Sequence, residues 1–175
     1  MNTISVICRY NEDLSWTSKL LHPFVVYNKG KEDLDVDSIK SENIGREGET
    51  FIRYIIDNYN ELPERICFLQ GNPFDHCPEA LSLCNDESYL GFIGSETRCD
   101  GSGIPHHPGL PVSAMCEALC IPTSQNYTFY IGGQMIVDSA SIHKRSLEWW
   151  KECYLTYCSD KNSPWVFERL WPLIF

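Results

Sequence analysis

The sequence predicts an α/β fold: a single domain, residues 1–175, whose mostly parallel central sheet is flanked by helices. Three observations carry this. Short apolar runs end abruptly in polar residues, the mark of strands covered on both faces. Stretches with apolar positions at helical spacing alternate with those runs, as βαβ units require. A length of 175 residues with 43% hydrophobic and 13% aromatic content suits one core and is too apolar for a disordered chain.

Residues 3–9 and 24–27 are the first two strands, with a short helix over residues 11–21, carrying Leu14, Ser18 and Leu21 on one face and capped by Asn11 or Asp13. Residues 31–40 are polar and acidic and read as a loop. From Gly48, the positions Phe51, Ile52, Ile55, Ile56 and Tyr59 recur at helical spacing until Asn60 and Pro63 stop the element. Residues 66–69 form a third buried strand that ends in Gln70-Gly71-Asn72-Pro73. A short helix over residues 79–84 and a strand over residues 89–93 follow. Residues 98–111, rich in Gly and Pro, form a surface loop of a length that is more often functional than merely connecting. A helix over residues 111–121 precedes a strand over residues 129–137, interrupted by Gly132-Gly133. The next helix starts at Ser141 or Ser146 and carries Leu147, Trp150, Tyr154 and Tyr157, and a last one runs over residues 164–170 up to Trp171-Pro172.

Fourteen Lys and Arg against 24 Asp and Glu give a net charge of −10. That sign excludes a polyanion binder, because nucleic acid and anionic membranes demand clustered cations. No run approaches the ~20 apolar residues of a membrane span, and residues 1–14 lack the basic start and apolar stretch of a secretory signal. A cytoplasmic protein is expected. The nine cysteines are scattered without a CxxC pair, several inside apolar runs, so they read as reduced core thiols. Cys116 and Cys120 are four apart on a predicted helix, where the apolar side of that helix accounts for them better than a metal. The acid is uneven: residues 31–49 hold seven acids against three bases, while residues 141–175 hold five bases against four acids.

In open α/β sheets, ligands bind outside the carboxyl ends of the strands. Three predicted strand ends are densely polar: residues 9–13, 28–30 and 70–76. Each alone could be a capped turn, but three converging sets point to a site. Gly45 and Gly48 flank Arg46 at a helix entrance, where backbone N–H groups and a guanidinium can hold a phosphate. Pairing of Arg46 with Glu47 or Glu49 on a solvated helix face accounts for the same residues equally well. The spacing matches neither a Walker A loop nor a GxGxxG fingerprint. Asp33-x-Asp35-x-Asp37 reads as a solvated charge run. Of Trp149-Trp150 only one can face the core, and an exposed indole can stack on a sugar.

The segments Arg9-Tyr10-Asn11-Glu12-Asp13-Leu14-Ser15-Trp16, Tyr27-Asn28-Lys29-Gly30, Gly45-Arg46-Glu47-Gly48, Phe68-Leu69-Gln70-Gly71-Asn72-Pro73-Phe74-Asp75-His76 and Glu168-Arg169-Leu170-Trp171 resemble the blocks of a domain family of unknown function found in fungi and large DNA viruses. The layout of that family is similar to GT-A glycosyltransferases, whose sheet binds a nucleotide-sugar. The resemblance implies a nucleotide-sugar pocket formed by Arg9, Tyr10, Asn11, Glu12, Asn28, Lys29, Arg46, Gln70 and Asn72, with a glycan or other hydroxyl compound as acceptor. It also implies a metal motif near residues 70–76, but no Asp-x-Asp follows Leu69; Asp75 and His76 are the ionisable residues there, so transfer with Mn²⁺ or Mg²⁺ and transfer without a metal both stay open.

Glycosyl transfer needs a base for the acceptor hydroxyl and positive charge for the departing diphosphate. Asp75, in its Asn-Pro turn, and Glu168, among Phe167, Leu170 and Trp171, are the candidate bases, although Glu168 could simply pair with Arg169. Arg9, Lys29, Arg46, Lys144 and Arg145 are the available cations. Two other classes fit the residues: a catalytically silent sugar- or protein-binding module, and a metal-dependent hydrolase using Asp75, His76 and His106 or His107.

Overall fold

The structure, a computed structural model, describes residues 2–175. Among the described residues the strands are β1 (Thr3–Arg9), β2 (Phe24–Asn28), β3 (Ser38–Lys40), β4 (Arg65–Gln70), β5 (Gly91–Ile93), β6 (Glu96–Cys99), β7 (Tyr127–Tyr130) and β8 (Gln134–Asp138). Six helices are α1 (Arg46–Asn58), α2 (Ala80–Asn85), α3 (Val112–Ala118), α4 (Ser139–Ile142), α5 (Leu147–Ser159) and α6 (Ser163–Ile174). The central sheet has the order β3-β2-β1-β4-β8-β5. Its first four strands are parallel, while β8 runs antiparallel between β4 and β5. The expected mostly parallel sheet is therefore present.

Both faces of the sheet are covered because β1 and β4 are apolar at consecutive positions. Val6 and Phe68 face a core built with Phe51, Ile55, Trp150, Tyr157, Phe167 and Leu170 from α1, α5 and α6. Ile7, Cys67 and Leu69 face a smaller core with Trp16, Ala80, Cys84 and Ile136. The second core is closed below by Arg65. Its fully buried guanidinium donates to the carbonyls of Leu83, Cys84, Asp86 and Tyr89, gathering the end of α2 and the chain after it onto β4.

Several boundaries differ from the sequence expectations for identifiable reasons. The helix expected over residues 11–21 shrinks to a 3₁₀ turn, Ser15–Lys19, that buries Trp16 and Thr17 without a side-chain cap, and Leu21 is exposed. The loop expected over residues 31–40 contains β3, a three-residue exposed edge strand too short to leave a pattern. The loop expected over residues 98–111 begins inside β6. The single strand expected over residues 129–137 is two strands in different sheets, because Gly132 and Gly133 both take positive φ and carry the chain from β7, paired with β6, to β8 in the main sheet. α6 runs past Pro172, which lies in its last turn where the helix is ending anyway.

The nine cysteines are free thiols, six of them buried. Cys116 is buried on α3, and Cys120 is exposed beyond its end. Among the described residues no helix is long and apolar enough to cross a membrane.

Candidate active site

The parallel order β3-β2-β1-β4 means that the chain leaves β1 for β2 on one side and reaches β4 on the other. The crevice outside the carboxyl ends of β1 and β4 is therefore the switch point at which such sheets bind ligands. A cavity of about 320 Å³ lies there. The end of β1 supplies Cys8, Tyr10 and Glu12, and β2 leads into Lys29. The entrance of α1 supplies Asn43, Arg46 and Glu47, and the turn after β4 supplies Gln70, Asn72, Asp75 and His76. A second cavity, about 270 Å³, shares Arg46, Glu47, Gln70 and His76 with the first and adds Ile131, Gly132, Pro164, Trp165 and Glu168. The two form one cleft.

The three polar strand ends converge, but not every residue in them faces the cleft. Tyr10, Glu12, Lys29, Arg46, Gln70, Asn72, Asp75 and His76 line the first cavity. Arg9 does not. Its buried guanidinium donates to the Glu12 carbonyl, to Asn28 Oδ1 at 3.2 Å and to Glu32 at 2.8 Å, tying the ends of β1 and β2 together from behind. Asn28 is fully buried and spends its amide on Arg9, Gly30 N–H and the Glu32 carbonyl. Asn11 faces a separate surface depression with Arg9 and Leu14. Arg9 and Asn28 thus brace the ends of β1 and β2, and Asn11 lies outside the first cavity.

Lys29 is held on the floor. Its ammonium donates to the Ile44 carbonyl and pairs with Glu49 at 2.6 Å, both side chains almost wholly buried. Glu49 also accepts from Arg53 and Tyr154. Among the described residues lining the first cavity, the exposed guanidinium is that of Arg46, whose side chain is 57% exposed, lies 3.6 Å from Glu47 and stacks over Trp165 at 5.6 Å. α1 starts on Gly45 in the left-handed region with no side-chain cap on its first turn, and Arg46 and Glu47 of that turn line the cleft.

Four carboxylates line the cleft. Glu12 accepts from the N–H groups of Tyr10 and Asn11. Asp75 is exposed and accepts from Asn72 at 2.7 Å. Glu168 lies in the second cavity. Phe167, Leu170 and Trp171 are buried beside it as expected, but its carboxylate turns away from them, onto the Gly132 N–H at 2.7 Å and onto Arg169. The pairing with Arg169 read from the sequence is present.

Glu47, which sequence reasoning treated only as a partner for Arg46, lines both cavities. Burial pushes its carboxyl up from the ordinary value, against the opposing pull of its own backbone N–H, Arg46 and the Gln70 amide, and Glu168 adds to the rise. An acid in the first turn of a helix reads as an answer to the helix dipole, so nothing in the sequence separates this residue from Glu49. Burial pushes the Cys8 thiol at the cavity floor up to about 12, against the pull of Lys29.

The Gly132-Gly133 turn is built into the site by three contacts. Gln70 donates to the Gly132 carbonyl, Glu168 accepts from its N–H, and the His76 ring lies where a Cβ on Gly132 would sit, 2.6 Å from Cδ2. Of the adjacent pair, Trp150 is buried in the core and Trp149 is half-buried as expected, its indole donating to the Leu119 carbonyl under Arg145. Trp165, 37% exposed, takes its place at the cleft. His107 packs against Trp165, whereas His106 hydrogen-bonds Thr97. Among the described residues no three of His, Cys, Asp and Glu are grouped to hold a metal ion. Asp75 and His76 line the first cavity together, and neither His106 nor His107 is among its lining residues. Asp33, Asp35 and Asp37 are exposed, as expected of a solvated run.

A family model described as "Protein of unknown function (DUF3431)" matches residues 6–89. The chain is similar to that family over a stretch containing every residue of the first cavity, whereas Gly132, Trp165 and Glu168 lie beyond it. No curated protein and no solved structure matches.

Proposed function

We propose that the cleft binds a nucleotide-sugar and transfers its sugar to a hydroxyl acceptor. The observation that carries this reading is the position of Arg46, an exposed guanidinium at the uncapped entrance of α1, opening into the cavity at the β1/β4 switch point. A diphosphate there meets positive charge at the first turn of a helix, while Glu12, Asp75 and Asn72 offer the hydrogen-bonding partners that ribose and sugar hydroxyls need. The net charge of −10 does not oppose it, because one cation placed at the leaving group acts locally. The likeness of the sequence blocks to a domain family whose layout is similar to GT-A enzymes supports the same reading.

Thermal-shift titration with a panel of uridine, guanosine, adenosine and cytidine diphosphate sugars, with and without Mn²⁺, tests it. One nucleotide is expected to raise the melting temperature of the wild type. Arg46→Ala is expected to melt at the wild-type temperature without ligand and to lose that rise. A panel in which no nucleotide shifts the wild type sinks the reading. Binding without turnover of the bound donor in the presence of hydroxyl compounds instead identifies a silent sugar-binding module.

A further inference from the structure

Sugar transfer, on the reading above, has to occur where donor and acceptor meet, and the cleft has two chambers. Glu12 and Asp75 line only the first, and Glu168 lines only the second. Glu47 alone among these carboxylates lines both. We propose that the acceptor enters through the chamber beside Trp165 and that the Glu47 carboxylate takes the proton from its hydroxyl.

In this step the acceptor oxygen bonds to the anomeric carbon of the donor sugar as its proton passes to Glu47. The bond between that carbon and the diphosphate oxygen breaks, and its electron pair leaves on the nucleoside diphosphate beside Arg46. The proton then goes from Glu47 to solvent through the open side of the cleft. Neither other candidate is as well placed. Glu168 already accepts from the Gly132 N–H and Arg169, and Asp75 is exposed and held by Asn72. Glu47 is four-fifths buried, and burial holds its carboxyl above its ordinary value, toward the range where a carboxylate is an effective base at neutral pH. Gln70 positions it. The amide that bonds Glu47 is itself anchored on the Gly132 carbonyl at 2.8 Å.

The titratable and charged groups around Glu47 are Arg46 on α1, Cys8 on β1, Tyr157 on α5 and Glu168 on α6, with Glu12, Lys29, Asp75 and His76 lining the same chamber. Trp165 bounds the acceptor side, and an indole face is the surface on which a pyranose stacks, so the acceptor class named here is a carbohydrate hydroxyl.

The test follows nucleoside diphosphate release from the donor that stabilises the protein, with water alone and with methyl glycosides as acceptors, across pH 4–9. The wild type is expected to show an acid limb and a faster release with one of the glycosides. Glu47→Gln is expected to fall by a factor of about 100 or more in kcat, to lose the acid limb, and to bind nucleoside diphosphate with little change in Kd. Glu47→Asp is expected to keep the limb at a reduced rate. Glu47→Gln turning over at the wild-type rate, or keeping the acid limb, overturns the assignment and moves the proton to His76 or Asp75. A wild type that binds no nucleotide-sugar overturns the reading of the cleft, and the role of Glu47 with it. Those two failures are distinguished by the binding measurement.

Discussion

Lys29 and Glu49 form an ion pair of 2.6 Å in which both side chains are almost fully removed from water. The pair joins the end of β2 to the first turns of α1, and Glu49 passes the connection to α5 through Tyr154 at 2.9 Å. The floor of the cleft is thus one network, and the strand ends stand or fall with it.

Lys29→Met leaves Glu49 buried with Arg53 and Tyr154 but without its ammonium. Breaking one half of a buried pair costs about 3–5 kcal/mol. Urea denaturation is expected to show that loss, together with loss of any nucleotide-induced shift. Lys40→Met, which removes exposed bonds to Asp33 at 3.5 Å and to the Gly30, Lys31 and Glu32 carbonyls, is expected to cost about 1 kcal/mol or less.

Gly30 follows Lys29 directly and lies against the backbone of the β1 end. A Cβ there would sit 1.8 Å from the Tyr10 carbonyl oxygen and 2.8 Å from Arg9 Nη1. Backbone cannot swing aside as a side chain can, so Gly30→Ala is expected to cost at least about 2 kcal/mol. The two strand ends should also part. Calorimetry checks the first, and weakened nucleotide binding by the folded fraction checks the second.

Burial raises the Glu47 carboxyl above its ordinary value of 4.5, so the native state holds that proton more tightly than the unfolded chain does. The contribution of this group to stability is therefore greatest below the unfolded value and declines as pH rises through the native one. Glu47→Gln removes that slope. Its melting temperature is expected to match or exceed that of the wild type, with a gap that widens upward from about pH 4 and then levels off. A gap that narrows with rising pH would contradict the assigned environment.

The elements were legible where the pattern was long or the residues were covered on both sides. β1, β4 and α1 follow from the apolar run ending at Cys8, the run ending at Leu69 and the helical spacing from Phe51 to Tyr59. β3 and the 3₁₀ turn around Trp16 were not legible, since three or five residues carry too few positions to distinguish one period from another. The split of residues 129–137 between two sheets was marked by Gly132-Gly133, but a glycine pair signals a break without saying where the chain goes next.

The candidate site divides in the same way. That residues 9–13, 28–30 and 70–76 gather around one crevice was readable, because strand ends in a parallel sheet share a side. Which side chains look into it was decided by the pleat and by pairing. Arg9 and Tyr10 are neighbours in sequence, yet one is locked behind the sheet on Asn28 and Glu32 while the other opens to the cavity. Sequence alone determined the alternation of strands and helices, the reduced cysteines in the core and the polar character of the strand ends, all of which depend on residues close together in the chain. Tertiary structure alone decided that Lys29 is spent on Glu49, that Trp165 and Glu168 reach the cleft from the last helix, and that Glu47 lies between its two chambers. Each of those depends on which distant segments pack together, and packing sets both the direction of a side chain and the cost of its charge.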